Sequence, residues 1–199
     1  MQVYELRWIV VDGIDGSGKS TYSKMIEEYY KERGESVVVH IHPSSGTWGR
    51  ISRRALESRG KAMRAVATMF FIADVLRSLS LLKKESRHYD NVIFVRYIMA
   101  TAYLPDRLAP FGYSFISKLL PVPRRLVLID VDPAVANERS SQRSEKKEMF
   151  EDPANLKRAR AKLLSLASSD WKVIDNSFQM QKGKDSLYLV LEDWDRTYG

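Results

Sequence analysis

Short and nearly continuous apolar runs recur along the chain, a pattern typical of strands that are buried on both faces of a sheet. The first three cover residues 6–11, 37–41 and 92–95. A fourth covers residues 126–131, and a weaker one over residues 172–174 precedes a helical C-terminus. The pattern therefore predicts five strands.

Helical patterns separate these runs. Residues 21–33 predict a helix closed by Gly34, and a loop over residues 43–49 leads to a short helix ending near Gly60. Residues 62–84 predict a long helix, whose buried stripe is expected at Ala62, Val66, Met69, Ala73 and Leu76. Strands that alternate with helices indicate a three-layer α/β fold with a parallel sheet, in which ligands bind at the carboxyl ends of the strands.

A glycine-rich motif lies between the first predicted strand and its helix. It matches G-x-x-x-x-G-K-[ST] in full and comprises Gly13, Ile14, Asp15, Gly16, Ser17, Gly18, Lys19 and Ser20, with Thr21 next. Such a phosphate loop directs backbone N–H groups at nucleotide phosphates, helped by the positive end of the following helix. We expect Lys19 to reach the β- and γ-phosphates of ATP and the Ser20 hydroxyl to ligate Mg²⁺.

Asp15 is an unusual residue for a loop that binds anions, because a carboxylate beside phosphates is repulsive unless it faces another ligand. We expect Asp15 to face a hydroxyl group of a second substrate. The alternative is an aspartate that faces solvent in a turn.

The composition is that of one globular domain over residues 1–199, with 44% hydrophobic residues, 29% charged residues and no cysteine. No apolar run approaches the roughly 20 residues that span a bilayer, and no signal-peptide pattern is found, so a cytoplasmic protein without membrane association is expected. The formal net charge of +7 indicates an anionic partner. No nucleic-acid-binding signature is found, so a phosphorylated small molecule is expected rather than nucleic acid.

Several segments together resemble the thymidylate kinase family and span most of the chain in family order. They are the phosphate loop, Pro43-Ser44-Ser45-Gly46-Thr47-Trp48-Gly49, Phe70-Phe71-Ile72-Ala73-Asp74, Arg96-Tyr97 with Ala102-Tyr103, and Asp130-Val131-Asp132-Pro133. The resemblance implies the P-loop nucleoside monophosphate kinase fold with a mobile lid. It also implies phosphoryl transfer from ATP, with Mg²⁺, to thymidine monophosphate.

The resemblance assigns roles at the acceptor site. It implies that Asp15 binds the 3′-hydroxyl, that Arg96 binds the monophosphate, and that Phe71 stacks on thymine, with Tyr103 nearby. Core packing remains the alternative role for Phe71.

The polar segment over residues 139–151 resembles the family's lid. Because Gly16 rather than arginine follows Asp15, the resemblance implies that the catalytic arginine comes from this lid. Arg143 is the leading candidate, and Arg139 lies nearer the base of the lid.

Three positions depart from the family pattern. Val95 replaces an aspartate near Mg²⁺, and Ile41 and Val75 replace two arginines around the monophosphate. We expect a slow enzyme in which Asp12 is the nearest acidic substitute, while Arg77, Arg50 and His42 are candidate substitutes for the arginines.

These departures leave alternatives open. They are another nucleoside monophosphate as acceptor, a nucleotide-binding protein without transferase activity, and a nucleic-acid-binding ATPase. The oligomeric state is open as well, a homodimer included.

Overall fold

The computed structural model describes residues 6–58, 60–104, 107–142, 153–167 and 169–198, without the side chains of residues 61, 64 and 103. The strands are β1 (Arg7–Asp12), β2 (Val37–Ile41), β3 (Asn91–Val95), β4 (Arg125–Asp130) and β5 (Trp171–Asp175). The helices are α1 (Lys19–Lys31), α2 (Thr47–Leu56), α3 (Lys61–Glu85), α4 (Ala109–Leu119), α5 (Pro133–Ser141), α6 (Pro153–Leu166) and α7 (Met180–Tyr198), with a 3₁₀ helix over Ile98–Tyr103.

All five strands belong to one parallel sheet in the order β2-β3-β1-β4-β5. The predicted fold is confirmed, and each strand begins and ends within one residue of its predicted bounds. Because β1 is the central strand, the loop that follows it emerges in the middle of the carboxyl edge, where ligands bind in this class of sheet.

Successive residues of the strands face opposite layers, which gives the domain two apolar cores. Val10 and Phe94 pack with side chains of α3 and α6, and partly buried residues of α4 join them. Val11 and Val95 pack on the other face, with side chains of α1 and α7. Helices therefore cover both faces of the sheet, as its continuous apolar strands require.

The predicted buried stripe of α3 is wrong. Met69 and Leu76 are 58% and 46% exposed, Ala62 is also exposed, and Val66 and Ala73 are only half-buried. Apolar residues lie on more than one face of this helix, so spacings of three and four fit several stripes and do not identify the buried one.

The buried face of α3 includes two polar residues. Asp74 accepts hydrogen bonds from the backbone N–H of Ser44 at 2.7 Å and from its hydroxyl at 2.6 Å. Ser78 forms a hydrogen bond with His42. Val75, which lies between Asp74 and Ser78 on the helix, packs in the core. These hydrogen bonds to the loop after β2 favour burial of the face that carries Asp74 and Ser78. The more apolar face, with Met69 and Leu76, is left exposed.

By length and composition, Ala65–Glu85 of α3 could cross a membrane, which corrects the expectation that no apolar run approaches that length. Its mean hydropathy is 1.7, and 22% of the apolar window is buried. The helix nevertheless contributes Val75 to the core and Asp74 to the loop after β2. In this structure α3 therefore packs against the rest of the domain, and its outer face is apolar.

Candidate active site

The phosphate loop joins β1 to α1, and two of its glycines are required by their close neighbours. Gly16 and Gly18 have φ angles of 80° and 97°, which residues with a Cβ rarely adopt. A Cβ on Gly16 would lie 2.2 Å from the Ala136 carbonyl oxygen, and one on Gly18 would lie 2.7 Å from Asn176 Nδ2. The loop is therefore packed between α5 and the residue that follows β5.

Lys19 begins α1, and its side chain folds back into the loop, where the residue is only 5% exposed. Nζ donates to the Gly13 carbonyl at 2.9 Å and to the Ile14 carbonyl at 2.6 Å, and it lies 3.7 Å from Asp15 Oδ1. The positive charge is thus held within the curl of the loop.

Asp15 is buried, so the alternative of an aspartate facing solvent is wrong. Its Oδ1 accepts a hydrogen bond from Arg96 Nη2, in addition to its contact with Lys19. Arg96 directly follows β3 and has a φ of 62°, the left-handed conformation. The structure therefore brings together the phosphate loop and the arginine that the resemblance assigned to the acceptor.

Asp12, at the end of β1, is buried and braces the backbone. Its Oδ1 accepts from the N–H of Gly13 at 2.9 Å, and its Oδ2 accepts from the N–H of Tyr97 at 3.0 Å. Burial raises the pKa of Asp12, although both N–H bonds and the charges of Lys19 and Arg96 act in the opposite direction. Since both oxygens are engaged by backbone groups, Asp12 acts as a brace between the loop and the turn after β3.

Val95 lies at the carboxyl end of β3 and is 1% exposed. It packs with Val11 and Ile26 in the core on the α1 side of the sheet. The position at which the family has an aspartate is therefore an apolar core position in this chain.

Ser20 is exposed in the first turn of α1, so its hydroxyl is accessible to an ion beside bound phosphates. In the described ranges, no three His, Asp or Glu side chains are grouped as a metal site. Mg²⁺ commonly keeps several waters and takes only one or two protein ligands plus substrate phosphates. The donor set therefore fits an ion that arrives with the nucleotide, held by Ser20.

The residues predicted for the acceptor site, apart from Asp15, lie on α3 and after β3. Phe71 is half-buried, contacts the core, and has its ring centroid 6.2 Å from that of His42. Tyr103 ends the 3₁₀ helix, and its side chain is not among those described. A Cβ on Gly46 would lie 3.1 Å from Arg77 Nη1, so Arg77 reaches the loop after β2. Arg50 is an exposed residue of α2.

The segment predicted as the lid, residues 139–151, is described only as far as residue 142. Arg139 is half-buried in the last turn of α5, one turn beyond Ala136, which packs on Gly16. Burial raises the pKa of Tyr22 on α1, and the nearby charge of Arg139 lowers it. Arg139 thus lies close to the start of α1, while Arg143 falls outside the described residues.

Two contacts at this edge were missed by reasoning from the sequence. Asn176 Nδ2 donates to the Ser17 carbonyl at 2.8 Å, and Arg160 forms two bonds of 2.7 Å with the carboxylate of Asp130. The sequence did contain a signal for both contacts, because Asp130 ends β4 and Asn176 directly follows β5. Polar residues at strand ends of a parallel sheet are expected to meet at its ligand-binding edge.

The five-stranded parallel sheet, the phosphate loop after its central strand and the arginine at the end of β3 define a P-loop nucleoside monophosphate kinase. The family model for thymidylate kinase matches residues 11–187. The chain therefore belongs to the thymidylate kinase family.

Relatives agree with this assignment. The chain is 33% identical over 171 residues to a thymidylate kinase of Leptospira borgpetersenii, covering 81% of each chain. It is 34% identical over 172 residues to a probable thymidylate kinase of Pyrobaculum calidifontis, covering 84% of this chain and 86% of the relative. A thymidylate kinase structure from Candida albicans superposes with a TM-score of 0.73 at 17% identity, over 96% of this chain and 92% of that one. The last likeness supports the fold.

Proposed function

We propose that the protein phosphorylates thymidine monophosphate to thymidine diphosphate with ATP and Mg²⁺. The observation that carries the proposal is the contact of Asp15 with both Lys19 of the phosphate loop and Arg96. This contact puts groups suited to the donor and to the acceptor within one site. Relatives named as thymidylate kinases favour this acceptor over other nucleoside monophosphates and over a protein that only binds nucleotide.

In this proposal, loop N–H groups and Lys19 bind the ATP phosphates, and Arg96 binds the acceptor phosphate. Asp15 turns to the 3′-hydroxyl of the acceptor, and Phe71 and Tyr103 contact its base. The Ser20 hydroxyl would hold Mg²⁺, which would supply positive charge to neutralise the phosphates. The acceptor phosphate is anionic at neutral pH and needs no general base, so these groups act by alignment and by neutralising charge, with Arg143 or Arg139 at the transferred group.

The proposal is tested by measuring ADP release over a panel of nucleoside monophosphates. We expect thymidine monophosphate to give the highest kcat/KM. Lys19→Ala should lower this value about a hundredfold or more, because a charge acting on the reacting phosphates is lost. A Lys19→Ala protein that keeps half the activity would remove the loop assignment, and another preferred monophosphate would change the acceptor.

A homodimer and a cytoplasmic location belong to the same proposal. Met69, Ile72 and Leu76 form an exposed apolar face on α3, which a second copy of the chain could cover. A cytoplasmic location is supported by the nucleotide substrates and by a sequence without cysteine.

A further inference from the structure

Arg96 has a backbone conformation that must be held in place. Its φ of 62° is the one left-handed angle found for a non-glycine residue in the described part of the chain. A side chain with a Cβ adopts this angle at a cost in free energy, so surrounding contacts have to stabilise it. The same residue supplies the guanidinium that contacts Asp15.

Backbone bonds on both sides of Arg96 supply part of this support. The N–H of Arg96 donates to the Val11 carbonyl at 3.0 Å. The next N–H, that of Tyr97, donates to Asp12 Oδ2 at 3.0 Å. The third backbone contact is made by the carbonyl of Arg96, whose oxygen lies 3.1 Å from Nδ1 of the His42 ring.

His42 directly follows β2 and is fully buried. A carbonyl oxygen can only accept, so Nδ1 must carry the proton in the bond to Arg96. In the neutral ring Nε2 then accepts from the Ser78 hydroxyl at 3.0 Å. Burial lowers the pKa of His42, which favours this neutral form.

The main chain of His42 makes two further contacts with the same segment. Its N–H donates to the Val95 carbonyl at 3.0 Å, and its carbonyl accepts from Arg96 Nη1 at 3.4 Å. His42 thus contacts the backbone before Arg96, the carbonyl of Arg96 and the guanidinium of Arg96.

We propose that His42 is a positioning residue, whose ring holds Arg96 in the left-handed conformation that directs its guanidinium to Asp15 and the acceptor phosphate. The inference rests on the proposed function through the role of Arg96 as the acceptor ligand. His42 acts through Arg96 and touches no reacting atom.

Two neutral replacements separate positioning from packing. In His42→Asn, the side-chain amide nitrogen takes the place of Nδ1 and can still donate to the Arg96 carbonyl. In His42→Gln, the amide reaches the place of Nε2 and Ser78, and the donor to Arg96 is removed. Asparagine removes more volume than glutamine, so a packing role makes His42→Asn the worse variant. A positioning role makes His42→Gln the worse one.

The kinetic measurement compares KM for thymidine monophosphate and for ATP in both variants, with Ser78→Ala as the control that removes only the second ring contact. We expect His42→Gln to raise the acceptor KM about tenfold with little change in the ATP KM. His42→Asn and Ser78→Ala should stay close to the wild type. An acceptor KM that rises as much in His42→Asn or in Ser78→Ala would overturn the inference.

A second measurement does not depend on activity. NMR couplings and chemical shifts of isotope-labelled Arg96 report its φ angle. We expect the left-handed value in the wild type and in His42→Asn, and its loss in His42→Gln. If the wild type phosphorylates no monophosphate, the proposed function fails while this angle still decides the inference. A left-handed Arg96 in His42→Gln would overturn it.

Discussion

Two carboxylates beside the phosphate loop differ in what they contact. Asp12 bonds backbone N–H groups of Gly13 and Tyr97, which ties it to the fold. Asp15 instead contacts the cationic side chains of Lys19 and Arg96. We therefore expect Asp12 to maintain the loop geometry, while Asp15 keeps the acceptor role that we propose for it.

Asp15→Asn should raise the KM of the acceptor with little change in the KM of ATP. The substitution removes the charge from a hydrogen bond to a substrate hydroxyl, and such a charged bond is worth about 1.5–3 kcal/mol. Steady-state kinetics with each substrate varied in turn measures this. Asp12→Asn is the comparison, and it should lower thermal stability instead. An equal rise in both KM values for Asp15→Asn would contradict the acceptor role.

Val95 is expected to respond to substitution as a core residue. From the family pattern alone, Val95→Asp is predicted to raise kcat/KM by about tenfold through better Mg²⁺ binding. Because Val95 is buried among apolar side chains, the new carboxylate would lose its hydration, and we instead expect the free energy of unfolding to fall by about 2–4 kcal/mol. Urea unfolding of Val95→Asp beside Val95→Thr measures the cost of the charge. Equal stability of the two variants would show that the position admits an acid.

The sequence identified the loop residues because a motif with a required context lies in one short segment. It could not identify His42 or Asn176 as supports of the site. Their contacts join residues that are 54 and 159 positions apart in the chain. Each residue directly follows a strand, which places it at the ligand-binding edge, but only the folded chain shows that Asn176 contacts the loop and that His42 contacts Arg96.

At the scale of elements, strands were easier to predict than helices. The three central strands β1, β3 and β4 are mostly buried, so they appear as nearly unbroken apolar runs. The edge strands differ, since β2 is only half-buried and β5 has exposed residues, which is why its run is weaker. On α3 the periodicity fitted more than one face, and polar contacts of Asp74 and Ser78 determined which one is buried. α5 had a start signal in Asp132, whose side chain accepts from the Ala134 N–H at 2.8 Å.

The position of α5 leads to a prediction for the lid. Arg143→Ala should lower kcat by about a hundredfold or more with smaller changes in either KM, because its charge would act on the transferred phosphoryl group. Arg139→Ala is the matched variant at the base of the lid. Pre-steady-state and steady-state rates of both proteins measure the effect. If kcat falls only in Arg139→Ala, the catalytic role passes to Arg139, whose helix packs on Gly16.

At the scale of the whole molecule, an apolar outer face coexists with a formal net charge of +7. The extent of the domain, residues 1–199, stays a prediction. Leu76→Glu should convert a dimer into monomers, because a charge placed in a covered apolar face loses its hydration. Sedimentation or light scattering over a range of concentrations measures the mass. Leu189→Glu on α7 is the control, since Leu189 is also exposed but lies away from α3. A monomeric wild type would contradict the dimer.

The buried ring of His42 is expected to make the stability of the domain fall in acid. Asp74 on α3 favours the protonated ring and His40 on β2 disfavours it, but burial has the largest effect and lowers the pKa of His42. The unfolded chain therefore binds a proton more readily, from a pH of about 6.5 downwards. Stability should fall as the pH drops from there towards the lowered pKa of the folded protein.

Urea unfolding of the wild type and of His42→Asn at several pH values between about 7.5 and 5 tests this. We expect the mutant, which has no proton to gain at this position, to lose less stability over the same range. Parallel curves would show that other groups cause the acid response. If the wild type loses more stability than the mutant, acidification would weaken acceptor binding and the fold together, because the same imidazole supports both.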